Sequence, residues 1–444
     1  MMCKILNSNF SIIVFAVFVI FIAGCESQDT TQSLTGQALP TAAPEEVGLS
    51  SERLRRIDKV MLQYVDEKLI PGAVTLVARR GKVAHFEAFG MMDIENNKPM
   101  QKDTIFRLAS MTKQFTSLAV MMLYEEGHFL LSDPISKFIP EFKNPKVFVP
   151  SSSGDSYELI PAKSEITIRQ LLNHTSGITY GYGTPVEFNE LSIKAGIMDK
   201  NNNFIDFENN KTLDDLVKKL PNVPLMNHPG EEFIYGFSTD VLGYLVEIVS
   251  GMTLNEFFNS RIFQPLDMTD TYYSVPDEKI LRFMLVYEPT ENGDLHVLDD
   301  PWSPPSSFYM GSSGLCSTVS DYAQFLQMIL NGGELSGVRL VSRKTIELMT
   351  SNSIGDLYIK IPGVPLRATS GDKSGLGFYI STERGQYDEL ESIGTVANGG
   401  GFYTYFFIDP KEDLFGIFMS QVDPIDHLDL WRKFRILVEQ AIVD

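Results

Sequence analysis

The chain has 444 residues, of which 43% are hydrophobic and 21% charged, so it can bury a large core without disulfides or metals to stabilise it. It carries 57 acidic and 37 basic side chains, a formal net charge of −20, and no basic cluster interrupts that balance. Nucleic acid is therefore excluded as an expected partner.

The amino-terminal residues 1–24 are typical of an export signal, with Lys4 before the apolar run Phe10–Ala23. The run ends in the letters IAGC, which is similar to a bacterial lipobox and implies that Cys25 is lipidated. We expect the acyl chains on Cys25 to bind a membrane and residues 25–46 to form a disordered tether. The expected location is the bacterial cell envelope, on the extracytoplasmic side of a membrane.

Cysteine and histidine usage bears on disulfides and metals. Removal of the signal and lipidation of Cys25 leave Cys316 alone, so an intramolecular disulfide is not expected. The six histidines show no metal-binding spacing, and we expect neither a metal nor a cofactor.

The sequence that follows the tether predicts a helix and then two strands. Ser50 and Ser51 can cap a helix whose apolar residues recur at helical spacing until Pro71 and Gly72 end it. The runs AVTLVAR and KVAHFEAFG, separated by Arg80 and Gly81, predict a β-hairpin. The apolar residues of the predicted helix are Leu54, Ile57, Met61 and Tyr64.

The carboxyl-terminal part favours sheet and then helix. Tyr403–Ile408 and Leu414–Ser420 predict strands around the turn DPKED, and Trp431–Val443 predicts a closing helix. The stretch from Ile135 to about Asp300 has more helical periodicity and more loops. The sequence predicts an α/β fold of the α+β type, in which an antiparallel sheet is flanked by the terminal helices and a mainly helical lobe is inserted. The predicted domain spans 47–444, with an α/β lobe at about 47–109 and 301–444, a helical lobe at about 110–300, and a site in the cleft between them.

The stretch RLASMTKQF places Ser110 three residues before Lys113 at the start of an apolar helix. Residues three apart share a helix face, so the lysine amine can reach the serine hydroxyl. Helix amino termini favour negative charge and help to lower the pKa of an amine, whose neutral form can accept the serine proton. A second Ser-x-x-Lys, at Ser370 and Lys373, lies among turn residues and is predicted to be a solvated loop.

The surroundings of the first copy, DTIFRLASMTKQFTSLAVMMLYEEG, resemble the nucleophile segment of the penicillin-binding-protein and serine β-lactamase superfamily, in its class C-like branch. The resemblance extends from about Glu45 to the carboxyl terminus. It implies that Ser110 is the acylated nucleophile, Lys113 its partner amine and Tyr235, in EEFIYGF, a proton relay. Whether Lys113 or Tyr235 is the general base stays open, and a buried core tyrosine is the alternative interpretation of Tyr235.

The remaining family motifs are altered. Phe237 stands where the family has a substrate-binding asparagine, although the neighbouring Ser238 offers a polar group. Asn398, Gly399 and Gly400 replace the usual Lys-Thr-Gly, so both its cation and its hydroxyl are missing. A substrate carboxylate is normally held there by charge-assisted hydrogen bonds, and their loss argues against carboxylate recognition. The resemblance implies that Phe237, Asn398, Gly399 and Gly400 line the substrate site, with an oxyanion hole formed by the N–H groups of Ser110 and Gly401.

Three functions remain open. The favoured one is a serine hydrolase with esterase-like activity on a small ester, amide or peptide, acting through an acyl-enzyme without a cofactor. A β-lactamase or D-Ala-D-Ala carboxypeptidase is the alternative, and an inactive surface binding protein is the third. His174 is predicted to be structural, and no Gly-x-Ser-x-Gly supports an α/β-hydrolase. Nothing in the sequence indicates the oligomeric state.

Overall fold

The computed structural model describes residues 38–151, 156–201, 203–298, 306–359, 372–383, 390–425 and 427–444. The predicted signal, Cys25 and Ser370 lie outside these residues. No single helix in these ranges has the length and apolar character to span a membrane, and only the bent pair Ser238–Ser250 and Leu254–Phe263, which meet at 78°, has enough of both together.

The first helix, α1, forms where its cap and its apolar spacing predict it. The Ser50 hydroxyl accepts the N–H of Arg53, which satisfies one of the free donors at the helix start. The four apolar residues predicted for its buried face are buried, and the helix ends at Asp66, before Pro71. The helices of the described chain are α1 Ser51–Asp66, α2 Lys113–Glu125, α3 Ile168–Leu172, α4 Val186–Lys194, α5 Leu213–Val217, α6 Ser238–Ser250, α7 Leu254–Phe258, α8 Val319–Leu330, α9 Arg343–Met349 and α10 Leu430–Glu439.

One antiparallel sheet of eight described strands forms the centre of the protein, and it contains both predicted hairpins. Shorter strand pairs lie outside it. The strands are β1 Gly72–Arg79, β2 Lys82–Asp93, β3 Lys98–Pro99, β4 Phe106–Arg107, β5 Lys146–Pro150, β6 Tyr157–Pro161, β7 Tyr287–Pro289, β8 Leu295–Val297, β9 Cys316–Ser317, β10 Glu334–Leu335, β11 Val338–Arg339, β12 Asp372–Ser374, β13 Tyr379–Ser381, β14 Val396–Gly400, β15 Thr404–Asp409 and β16 Leu414–Met419. The order in the main sheet is β12-β13-β14-β15-β16-β1-β2-β3, so strands from the two ends of the chain pair as β1 and β16.

Both faces of the central strands are covered, which is why β1 is buried along its whole length. Alternate side chains point to opposite faces of a strand. On β1, Ala73 and Val77 pack with residues of the terminal helices α1 and α10, whereas Val74 and Leu76 join the larger core that contains α2, α6 and α8. The predicted arrangement, a sheet flanked by the first and last helices with a helical insertion, is confirmed.

Two details of the prediction are corrected by the structure. Residues 38–46 were assigned to the disordered tether, but Thr41 bridges Val83 and the N–H of Ala42 donates to the Val83 carbonyl, so this segment packs against β2. Asp372 and Lys373 were predicted to lie in a solvated loop. They instead form the edge strand β12, because their backbone pairs with β13, and the Lys373 amine donates to the Leu357 carbonyl at 2.8 Å.

Candidate active site

Ser110 lies in a short 3-10 turn, Ala109–Thr112, that connects the strand β4 to the helix α2. Leu108, the residue before this turn, is fixed by its N–H, which donates to the Leu315 carbonyl at 2.8 Å. Ala109 has φ 45°, a left-handed conformation that is unusual for a residue with a side chain. The tight turn leaves Ser110 half-buried, three residues before the first residue of α2, Lys113.

The structure brings Ser110, Lys113 and Tyr235 together. The Lys113 amine donates to the Ser110 Oγ at 3.1 Å, across the single helical turn that separates them. The Tyr235 hydroxyl lies 2.7 Å from the same oxygen, although Tyr235 is 125 residues further along the chain. The Ser110 oxygen therefore contacts an amine and a phenol hydroxyl, both of which could take its proton.

Lys113 is 3% exposed, although a lysine is rarely buried. Burial lowers the pKa of its amine to about 7, and the negative charge of Asp240 opposes this shift. The amine also donates to the Ser312 carbonyl at 2.9 Å and lies 4.8 Å from the centre of the Tyr235 ring. A substantial fraction of Lys113 is thus neutral near pH 7, as a general base requires.

Tyr235 is held by aromatic neighbours on two sides. Its ring centre is 5.1 Å from that of His174 and 5.5 Å from that of Tyr180. Gly236 permits the close approach of this segment to residues 178 and 179, since a Cβ there would lie 2.3 Å from the Ile178 carbonyl oxygen. His174 is 5% exposed, and burial and the Lys113 charge lower its pKa to about 3, so it is a neutral packing partner.

The strand β14 brings Gly400 against the turn that carries Ser110. A Cβ on Gly400 would lie 2.2 Å from the Leu108 carbonyl oxygen, so only glycine allows this contact. Gly401 follows it and is exposed. Asn398 is 5% exposed, and its side-chain oxygen accepts the N–H of Gly399 at 2.8 Å.

A cavity of about 250 Å³ begins beside these residues. Its lining includes Ala109 and Phe402, the chain neighbours of Ser110 and Gly401. The rest of the wall includes the aromatic residues Tyr273, Phe283 and Phe308 and the cationic residue Arg107.

Phe237, which stands where the family has asparagine, and its neighbour Ser238 are both buried. Phe237 is 2% exposed, its ring packs edge-on against Tyr180 at 4.6 Å, and it lines a separate cavity of about 270 Å³ whose wall includes neither Ser110 nor Tyr235. The Ser238 hydroxyl lies 2.8 Å from that of Ser176 and is buried. This serine is already occupied within the core.

Sequence reasoning missed two groups that contact the site. Asp240 and the backbone of Ser312 lie next to Lys113, and the Ser312 N–H donates to the Asp240 carboxylate at 3.1 Å. A signal for Asp240 was present, because it is one of two acidic residues in the mainly apolar run STDVLGYLVEIVS. Helical periodicity alone did not show that it points towards the lysine.

Comparison with known proteins assigns this geometry to a family. The family described as Beta-lactamase matches residues 57–438, which include Ser110, Lys113, Tyr235 and the segment 398–401. The chain belongs to the β-lactamase family. The predicted resemblance to serine β-lactamases and penicillin-binding proteins is confirmed at this level.

Several known proteins resemble the chain over most of its length. The protein Rv1367c of Mycobacterium tuberculosis is 31% identical over 367 residues, which cover 82% of this chain and 88% of that one. Esterase EstB of Burkholderia gladioli is 30% identical over 294 residues, covering 62% and 69% of the two chains. Among solved structures, the unliganded simvastatin synthase LovD of Aspergillus terreus has a TM-score of 0.71 at 23% identity, covers 88% of this chain and 98% of its own, and shows the shared fold.

Proposed function

We propose that this β-lactamase-family serine hydrolase cleaves small carboxylic esters through an acyl-enzyme on Ser110. The observation that carries the proposal is the contact of the Ser110 Oγ with both the Lys113 amine at 3.1 Å and the Tyr235 hydroxyl at 2.7 Å. A hydroxyl in hydrogen-bond reach of a neutral amine is the arrangement of an activated nucleophile.

The proposed reaction has two steps. Ser110 transfers its proton to the Lys113–Tyr235 pair as its oxygen bonds to the ester carbonyl carbon. The alkoxide of the ester leaves with that proton, and the acyl group stays on Ser110. Water then gives a proton to the same pair as its oxygen bonds to the acyl carbon. The bond from that carbon to the Ser110 oxygen breaks, the pair returns the proton to Ser110, and the acid is released. We propose that the N–H groups of Ser110 and Gly401 form the oxyanion hole. The close contact of Gly400, the neighbour of Gly401, with the Leu108 carbonyl at the turn supports this assignment.

Two observations favour an ester over a penicillin or a D-Ala-D-Ala peptide. Asn398 and Gly399 supply no cation for a substrate carboxylate. In the cavity lined by Ala109, the neighbour of Ser110, the rings of Tyr273, Phe283 and Phe308 offer contacts to an apolar acyl or alcohol group. The 30% identity to esterase EstB supports the same preference.

The test is hydrolysis of p-nitrophenyl butyrate by the purified protein, with the matching anilide as the amide substrate. We expect ester turnover that Ser110→Ala abolishes, and a butyryl adduct on the peptide that contains Ser110. Ser370→Ala, in the second Ser-x-x-Lys, is the matched control and should keep wild-type activity. Equal activity in wild type and Ser110→Ala would overturn the proposal. Labelling by fluorescent penicillin without ester turnover would favour the penicillin-recognising alternative, and inertness to both would favour a binding protein.

A further inference from the structure

Asp240 is a buried carboxylate for which the proposed reaction has no role. It lies in the first turn of α6 with no measurable exposure. Its Oδ1 accepts the Ser312 N–H at 3.1 Å, whereas its Oδ2 has no hydrogen-bond partner among the described residues. Burial of a carboxylate with one oxygen unsatisfied is costly, so its presence here requires a compensating interaction.

The backbone of Ser312 connects this carboxylate to the lysine. Its N–H donates to Asp240, and its carbonyl oxygen accepts from the Lys113 amine at 2.9 Å. The same amine donates to the Ser110 Oγ at 3.1 Å. The two groups belong to adjacent peptide units joined at the Ser312 Cα, so the hydrogen bond to Asp240 fixes the position of the carbonyl that orients the amine.

The segment that carries Ser312 is fixed against two helices. A Cβ on Gly311 would lie 2.2 Å from the Thr239 carbonyl oxygen, and a Cβ on Gly243 would lie 3.0 Å from the Gly311 Cα, so the segment lies directly on α6. From α2, the Thr116 hydroxyl donates to the Gly311 carbonyl at 2.6 Å. The carbonyl that holds Lys113 therefore has little freedom to move.

The titratable groups that influence one another around Asp240 come from several elements. Burial, with the Asp240 charge as a further cause, raises the pKa of Tyr180 and of Tyr273 well above its usual value. Asp240 itself has a pKa raised by burial to about 6, against the opposing effect of the Lys113 charge. The titratable groups around Asp240 and Lys113 are Lys113 itself on α2, His174 after α3, Tyr180, Tyr235 and Tyr273.

We propose that Asp240 is a positioning residue, whose carboxylate holds the Lys113 amine against Ser110 by fixing the Ser312 backbone and balances the charge of that amine. This inference rests on the proposed function of Ser110. Asp240 acts in two ways, through its hydrogen bond to the Ser312 N–H and through its negative charge near Lys113.

The experiment compares Asp240→Asn and Asp240→Ala in the full protein by kcat, KM and the pH dependence of kcat/KM with p-nitrophenyl butyrate. Active enzyme is counted by titration with a fluorophosphonate. Asn keeps an acceptor for the Ser312 N–H but lacks the charge that favours protonated Lys113. Asp240→Asn should therefore retain most of kcat, while the acid limb of its kcat/KM profile moves about 1 pH unit lower. Asp240→Ala lacks both, and its kcat should fall about tenfold or more with KM little changed.

Asp321→Asn is the matched control, because Asp321 is also a buried acid in the first turn of a helix but accepts from Asp270 and Thr271 instead. It should leave the pH profile unchanged. A wild-type profile in Asp240→Asn together with a wild-type kcat in Asp240→Ala would overturn the inference. Should the Asp240 variants not fold, Gly311→Ala, which displaces the Ser312 segment without changing a charge, must lower kcat or the inference is wrong. An active Ser110→Ala protein would instead remove the proposed function itself.

Discussion

The Lys113 amine lies 3.1 Å from the Ser110 hydroxyl oxygen while its side chain is 3% exposed. Spacing along the helix accounts for the distance, but burial decides the chemistry. A solvated lysine is charged at neutral pH and cannot accept a proton. Desolvation lowers the pKa of this amine to about 7, which makes Lys113 a usable base for its neighbour.

Replacement of Lys113 by methionine should lower kcat/KM for p-nitrophenyl butyrate by about 10² to 10⁴, because the amine contact to Ser110 is lost while the apolar stem is kept. In the wild type, kcat/KM should rise with pH through about 7, as the Lys113 amine loses its proton. Lys373→Met, in the second Ser-x-x-Lys, serves as the control and should behave as wild type. A rate independent of pH between 6 and 9 would contradict this assignment of Lys113.

Replacement of Tyr235 by phenylalanine removes only the hydroxyl that lies 2.7 Å from Ser110 and keeps the ring against His174. We expect kcat to fall by about 10²-fold with little change in thermal stability. Tyr244→Phe, which removes a hydroxyl on α6 that donates to Asp214 on α5, should leave kcat unchanged. If Tyr235→Phe retained the wild-type rate, the relay role of Tyr235 would be wrong and Lys113 would act alone.

The stability of the fold should depend on pH through His174. Burial lowers the pKa of His174 to about 3, compared with about 6.5 in an unfolded chain. Between these values only the unfolded chain binds the proton, so the stabilisation by neutral His174 is complete above pH 6.5 and is lost as pH falls. The free energy of unfolding should decrease by about 1.4 kcal/mol per pH unit for this group. His85, with a pKa lowered by burial to about 4, adds a similar effect.

Urea unfolding at pH 7 and pH 5 measures this dependence. His174→Asn should be less stable at pH 7, since the ring packing is lost, but should lose less stability on acidification. Asparagine is chosen because it tolerates the positive φ of 59° at this position. His128→Asn, an exposed histidine, should show the wild-type loss. An identical loss in His174→Asn would show that His174 does not carry the effect.

The location of the protein stays a prediction that Cys25 tests. Cys25→Ser removes the proposed lipidation site, and stable membrane binding requires acyl chains. We expect wild-type protein in the membrane fraction of a bacterial host with metabolically incorporated palmitate label, and Cys25→Ser without label and outside that fraction. Cys3→Ser, within the predicted signal, is the control and should leave both unchanged. Label retained in Cys25→Ser would contradict the lipobox prediction.

The sequence by itself determined several of the elements and the pairing of Ser110 with Lys113. Period-2 and helical patterns placed α1, the two hairpins of the main sheet and α10, because one buried face imposes a repeat on each element. Ser110 and Lys113 were found together because three residues on a helix bring their side chains to one face. Local chemistry of this kind needs no knowledge of the distant chain.

Only the tertiary structure decided what surrounds that pair. It brought Tyr235 to Ser110 across 125 residues, placed Phe237 in an aromatic core and put Asp240 beside Lys113 through Ser312. It also showed that Lys373 belongs to an edge strand. These outcomes depend on packing between segments far apart in sequence, and packing sets the burial that shifts a pKa. Periodicity reports which side of an element is buried, but not which group lies against it.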